Sequence, residues 1–214
     1  MNKYILALAL ITSFISGSVN ATLIDDFSEG ALHTVADSLD NYQSSSSAFG
    51  GGRSVSIIKQ GVNAKADIIT RLGLYAHSSN VRTSATSTIS WSSNTGVDLV
   101  ESSNNNAFAL DIFSNDLNNS NFALSITDSA SRSASYTLFE ADAGIHNIAF
   151  SLFSNIDFQQ ITDISLQIIG GLESDIVISS LSTTSTGPIS AVPTPTALIL
   201  FTSSLALLSL SRRN

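Results

Sequence analysis

Cysteine is absent from this chain of 214 residues, which rules out a disulfide framework, a thiolate metal site and a cysteine nucleophile together. Stability must come from a packed core. Charge is scarce at 12% of residues, and basic charge is scarcer, with nine Lys and Arg against seventeen Asp and Glu. Three of the nine, Lys3, Arg212 and Arg213, stand at the extreme ends. The stretch between them therefore holds six basic and all seventeen acidic residues, a net charge of −11 against −8 for the whole chain. Such a surface lacks the positive footprint that nucleic acid requires, so nucleic acid is excluded as a partner. It suits solubility outside a cell. Proline is almost missing, and Pro188, Pro193 and Pro195 all lie close to the C-terminus. Trp91 is the single tryptophan. There is no H-E-x-x-H, no G-x-S-x-G and no phosphate-binding glycine loop in a strand-to-helix context.

The two ends carry sorting patterns. Met1-Asn2-Lys3 is a short positive region, Tyr4 to Ile15 is apolar, and Ser16 to Asn20 is small and polar. Val19 and Ala21 occupy the positions that a signal peptidase reads, which predicts a secretory signal peptide over residues 1–21 cleaved after Ala21. Its apolar run is shorter than the ~20 residues of a spanning helix. At the other end, Val192-Pro193-Thr194-Pro195 precedes an almost uncharged run from Thr196 to Leu210, and Arg212-Arg213 follows. Pro-x-Pro is extended and short of amide donors, so it neither joins a sheet nor continues a helix. This tail resembles the PEP-CTERM sorting signal of bacterial exosortase substrates. Val192, Pro193, Pro195, Arg212 and Arg213 match that pattern, and Thr194 stands where the family has glutamate. The resemblance covers residues 192–214 only and implies sorting, not activity. It implies an exosortase-type membrane protease as partner and transient or retained anchoring in the inner membrane of a Gram-negative bacterium. The arginines would be cytoplasmic and the preceding residues outside.

Between the signals lies one domain's length of chain, residues 22–182, with a linker over 183–191. Its apolar residues recur with a period of two. Phe108, Leu110 and Ile112 form one run and Phe122, Leu124 and Ile126 another; the polar stretch Ser114 to Ser120 between them predicts a β-hairpin. The period recurs at Tyr136-Leu138, Ile148-Phe150-Leu152, Ile164-Leu166-Ile168 and Ile176-Ile178. Earlier strands are predicted at Ser54–Ile58, Ala66–Leu72 and Thr86–Ser92, and one helical turn at Asp157–Gln160. About nine or ten strands with polar turns predict an all-β, antiparallel sandwich. The opening Ile24-Asp25-Asp26-Phe27 and the closing Ile161–Ile169 and Asp175–Leu181 resemble the jelly-roll domains of carbohydrate-binding modules and related exported proteins.

Chemistry-bearing residues are dispersed. His33, His77 and His146 have no metal-ligand spacing, and His146 reads as a strand residue. Gly50-Gly51-Gly52 after Ser44–Ser47 reads as a flexible loop. Asp25 and Asp26 are adjacent, so on a strand they face opposite ways and cannot act as a catalytic pair. Glu101, Glu140 and Glu173 fall at loops or strand ends and read as solvated acids. Asp25, Asp26, Asp116 and Asp175 leave calcium open as a cofactor, with no D-x-D-x-D-G loop to name its ligands. Trp91 shares a face with Ile89 and reads as buried, Tyr136 as core, and Tyr42 and Tyr75 as exposed near polar loops.

These readings predict an exported, non-catalytic protein of the cell surface or extracellular matrix, structural or adhesive in an exopolysaccharide setting. The alternatives are a carbohydrate-binding module and, behind it, an exported glycoside-active enzyme. Exposed aromatics along one sheet face would favour the module, a cleft with facing carboxylates the enzyme, and a smooth polar surface the structural protein.

Overall fold

The computed structural model describes residues 21–30, 33–35, 38–61, 66–71, 73–100, 105–117 and 119–186. Residues 1–20 of the expected signal peptide lie outside the described residues, as do Glu101 and the residues read as a sorting motif, Val192, Pro193, Thr194, Pro195, Arg212 and Arg213. No helix among the described residues is long and apolar enough to cross a membrane.

The period of two is realised as strands throughout. In chain order they are β1 (Leu23–Asp25), β2 (His33–Val35), β3 (Ser38–Ser44), β4 (Gly52–Gln60), β5 (Ala66–Arg71), β6 (Leu74–Ser79) and β7 (Ser84–Val97), then β8 (Ala107–Asn115), β9 (Asn121–Asp128), β10 (Ser133–Leu138), β11 (Gly144–Ala149), β12 (Ile161–Ile169) and β13 (Asp175–Thr184). They form two antiparallel sheets. One has six strands in the order β10-β9-β12-β7-β4-β3. The other has seven, in the order β11-β8-β13-β6-β5-β2, with β1 added to β13. From β6 onward the chain passes repeatedly between sheets, so that β12 lies between β9 and β7 while β13 lies between β8 and β6. This is jelly-roll-like interleaving.

The structure corrects three expectations. There are thirteen strands among the described residues rather than nine or ten, because β2, β3 and β6 carry too much polar sequence to stand out. The Phe108 and Phe122 runs do not form a hairpin. β8 pairs with β11 and β13, and β9 with β10 and β12, in opposite sheets. Two strands with one apolar face each can lie side by side or face to face, and the pattern alone is the same in both cases. Finally, Asp157–Gln160 is a single turn closed by the Gln160 amide on the Asp157 carbonyl at 3.0 Å. A short 3-10 turn occurs instead at Phe150–Leu152, so Phe150 and Leu152 leave the strand pattern, and Phe49–Gly51 forms a tight turn with left-handed glycines.

The core lies between the sheets. Val55 and Ile57 of β4, Ile89 and Trp91 of β7, Leu124 and Ile126 of β9 and Leu166 and Ile168 of β12 face Leu110, Ile112, Ile176, Ile178 and Leu181 of the other sheet. Each such side chain contributes about 1.5–3 kcal/mol on burial. One end is closed by aromatic rings. Phe150 and Phe158 stack at 4.0 Å, and Phe108 meets Phe150 edge-on at 4.9 Å.

The same end carries both limits of the described chain. The Thr22 amide donates to Thr183 Oγ1 and the Thr183 amide to the Thr22 carbonyl, both at 2.9 Å. β1 thus runs antiparallel beside the last turn of β13, with Leu23 opposite Ser182. The Thr186 amide is tied to Asn106 Oδ1 at 2.8 Å.

Candidate functional site

Five neighbouring strands of the six-stranded sheet put hydroxyls on their outer face. Alternation along β4 turns Arg53, Val55 and Ile57 inward and leaves Ser54 and Ser56 outside. In β7 it buries Ala85, Ser87, Ile89 and Trp91 and turns out Thr86, Thr88 and Ser90. β9, β10 and β12 do the same with Ser125, Ser135 and Ser165. Register then aligns these positions into rows. Ser54 is opposite Ser90, Ser90 opposite Ser165, Ser165 opposite Ser125, and Ser125 opposite Ser135. The next row along the strands reads Ser56, Thr88, Gln167, Ala123 and Thr137. At strand spacing the serine row spans about 19 Å.

Two shallow depressions meet at Ser90. One, of about 220 Å³, is lined by Ser54, Ser56, Thr88 and Ser90. The other, of about 140 Å³, is bordered by Ser90, Ser92, Ser125, Thr127, Asp163 and Ser165, with Trp91 and Ile164 beneath. Together they make a shallow trough running across the strands. On its rim Thr127 and Ser133 hydroxyls lie 2.8 Å apart, and the Thr162 hydroxyl donates to Asp163 Oδ2 at 2.8 Å.

The floor of this trough is braced from below. Trp91 is fully buried, and its Nε1–H donates to Asp25 Oδ2 at 2.8 Å. Asp25 also accepts the Phe27 amide at 2.8 Å and both oxygens contact Arg53 Nη1, at 2.8 and 2.6 Å. Arg53 Nε donates to Gln43 Oε1 at 3.0 Å, and Nη2 donates to the Glu29 and Gly30 carbonyls. The guanidinium carbon sits 5.4 Å from the centre of the Phe27 ring. Neither Asp25 nor Arg53 exposes any side-chain surface. This buried network ties the strands under Ser54 and Ser90 to β1, and so to the opposite sheet. Rotamers locked in this way hold a surface array in place.

Gly50 completes the support. The triple glycine makes a turn that leads into β4. Gly50 has φ 68°, and a Cβ there would lie 1.9 Å from the Ser92 carbonyl oxygen, so the turn packs directly on β7.

The other expected residues are placed as follows. Ala21 is exposed just before Thr22. Trp91 is buried as read, and Tyr136 packs half-buried against the core. Tyr75 is fully buried, not exposed: β6 alternates, turning Tyr75, His77 and Ser79 inward, and the Tyr75 ring lies 5.7 Å from that of Phe27. Burial pushes its phenol well above the ordinary range. Tyr42 stands opposite Ser54 at the end of the serine row, and its side chain lies outside what is described. His77 Nδ1 is 2.9 Å from Ser87 Oγ, and burial pushes the ring down to about 4. His146 donates through Nε2 to the Asp142 carbonyl at 2.7 Å. The side chain of His33 lies outside what is described.

The aspartates read for calcium are not brought together. Asp25 is committed to Arg53 and Trp91, whereas Asp26 accepts from the Ser28 amide and hydroxyl, which hold it below its ordinary range. Asp175 is six residues from the Leu181 that pairs with Asp25, about 20 Å along the strand. Burial, and then the neighbouring Asp116, raises its carboxyl, while Asp116 Oδ1 accepts the Asp175 amide at 2.9 Å. Among the described residues no group of three His, Cys, Asp or Glu could hold a metal ion.

Sequence reading missed the serine rows and the Asp25–Arg53 network. Both had a signal. Arg53 is in phase with Val55 and Ile57, which marks an inward arginine in need of an anion. The rows needed the register of five strands, which no single strand encodes.

No family model and no curated protein matches the chain. Several solved structures are similar to it. The agarase AgWH50C aligns at 13% identity and a TM-score of 0.44, over 77% of this chain and 24% of its own. PfGH50B aligns at 14% identity and a TM-score of 0.41, over 72% and 24%. The chain therefore spans about a quarter of the length of those two proteins. The family 11 carbohydrate-binding module of the cellulosomal cellulase Lic26A-Cel5E of Clostridium thermocellum aligns at 15% identity and a TM-score of 0.40, over 78% and 96%.

Proposed function

We propose that this is an exported, non-catalytic protein that adheres to extracellular polysaccharide through the outer face of its six-stranded sheet. The observation that carries this reading is the aligned row Ser135–Ser125–Ser165–Ser90–Ser54 with its trough. A hydroxyl both donates and accepts, as every sugar hydroxyl does, so a lattice of them pairs with a glycan surface at many points. Each bond is worth only about 0.5–1.5 kcal/mol net, so strength comes from number. That is the energetics of adhesion rather than of a tight small-ligand site. Export and anchoring rest on the two end patterns. The domain would be carried out by the signal peptide, held at the inner membrane by the tail, and cut near Pro193-Thr194-Pro195 by an exosortase-type protease.

The test is retention. Full-length protein in mild detergent is mixed with the insoluble exopolysaccharide of its host, and pellet and supernatant are assayed for protein and for released reducing sugar. Co-sedimentation without sugar release is expected. Protein that stays in the supernatant would overturn adhesion, and released sugar would overturn the non-catalytic reading.

A further inference from the structure

The proposed adhesion leaves the chemistry of the glycan open, and the trough narrows it. We infer that its occupant is a single extended, uncharged polysaccharide chain laid across the strands, along Ser54, Ser90, Ser165 and Ser125. This rests on the adhesive reading above and specifies its ligand.

Three features converge. The first is direction. The two depressions share Ser90 and extend from the β4–β7 pair on one side to β12 and β9 on the other, so the hollow crosses the strands. Successive hydroxyls along it are about 4.8 Å apart, comparable to one pyranose unit, whereas rows along a strand are about 7 Å apart. The second is twist. Neighbouring strands rotate by about 20–25°, so five strands turn their hydroxyls through roughly 80–100°. A flat crystalline face would meet only part of such a row, while a lone flexible chain can follow it.

The third is charge. The trough offers hydroxyls, with the Gln167 amide in the next row, Asp163 in its lining, and Ile58 exposed farther along β4. Each nearby cation among the described residues is accounted for elsewhere. Arg53 points inward onto Asp25, Lys59 is in phase with Arg53 and Ile57 on the inner side of β4, and Arg132 is bound to Asp128 at 2.7 Å in the β9–β10 turn. A polyuronate would enter beside Asp163 with no cation among the described residues placed to meet it, against a domain of net charge −11. A neutral glycan meets donors and acceptors only, and the Asp163 carboxylate can accept from its hydroxyls.

The experiment is affinity electrophoresis of the full-length protein in mild detergent, with hydroxyethyl cellulose or alginate cast in the gel. Retardation by the neutral polymer and none by alginate is expected. Ser90→Lys and, as an independent variant, Ser56→Lys should each weaken retardation at least fivefold, while Ser182→Lys on the outer face of the other sheet should not. Unchanged Trp91 emission identifies the variants that have folded. Retardation by alginate would overturn the charge argument. Neutral-polymer binding that survives both trough variants would overturn the site while leaving adhesion standing. Sedimentation with the host matrix but retardation by neither polymer would overturn the inferred ligand alone. Failure to sediment with that matrix, together with no retardation, would remove the adhesive reading itself.

Discussion

In Asp25→Ala the Arg53 guanidinium keeps its place in the core and loses its anion. Breaking a fully buried pair by removing one partner costs about 3–5 kcal/mol. The same carboxylate also serves the Phe27 amide and Trp91 Nε1–H, and each donor left buried and unmet costs about 1–3 kcal/mol. These costs overlap, since one group supplies all the contacts, and the expected total is about 5 kcal/mol. A domain of this size has about 5–15 kcal/mol to lose, so the variant should be marginal. The chain has one tryptophan, and it is the residue touching Asp25, so urea unfolding followed by tryptophan emission reads the site directly. With a slope of about 2–3 kcal/mol per molar urea, the midpoint should fall by about 2 M. The partner experiment is Asp25→Leu with Arg53→Met, which removes both charges and should recover at least half of the loss, because a buried pair exchanged for apolar groups is often near neutral. A single-variant cost under about 1 kcal/mol, or a double variant as unstable as the single one, would refute the reasoning.

Three further outcomes are expected. Gly50→Ala places a methyl into the Ser92 carbonyl at a positive φ and should cost about 3 kcal/mol or more, seen as a fall in Tm; an unchanged Tm would mean that the turn does not seat on β7. His77 is held neutral in the fold and pushed down to about 4, so the unfolded chain binds the extra proton between that value and its ordinary one near 6.5. Stability should therefore drop by up to about 3 kcal/mol as pH falls from 6.5 to 4, and His77→Leu should flatten that window in urea titrations. Replacing Pro193 and Pro195 together by alanine should leave an uncut precursor whose intact mass runs through Asn214; normal processing would reduce the motif to a linker.

What was legible in the sequence divides by physical cause. β7, β9 and β12 stood out because large apolar residues recur at every second position, as in Ile89-Trp91, Phe122-Leu124-Ile126 and Ile164-Leu166-Ile168. β3, reading Ser-Leu-Asp-Asn-Tyr-Gln-Ser, is a polar strand at a sheet edge and has no such contrast. Tyr75 failed for a related reason. Its strand is short, and its inward partners are His77 and Ser79, which by type belong outside and here pair within the core. The Phe108 and Phe122 runs were correct as strands and wrong as neighbours, since pairing is a property of two segments and their connection rather than of either pattern. The serine rows needed still more, a common register across β4, β7, β12, β9 and β10.

The position of β13 has a mechanical consequence. It is an interior strand, bonded to β8 along nearly its whole length and to β6 and then β1 on its other side. Tension entering at Thr186 pulls along the axis of β13, which loads those ladders in shear, so that many hydrogen bonds must yield together. The same pull applied between Thr22 and Thr183 would peel β1 away one bond at a time. If the domain is tethered by its C-terminal end and gripped on the outer face of its six-stranded sheet, as proposed, it would carry load through its strongest direction, with the weak seam at β1 left out of the line of force.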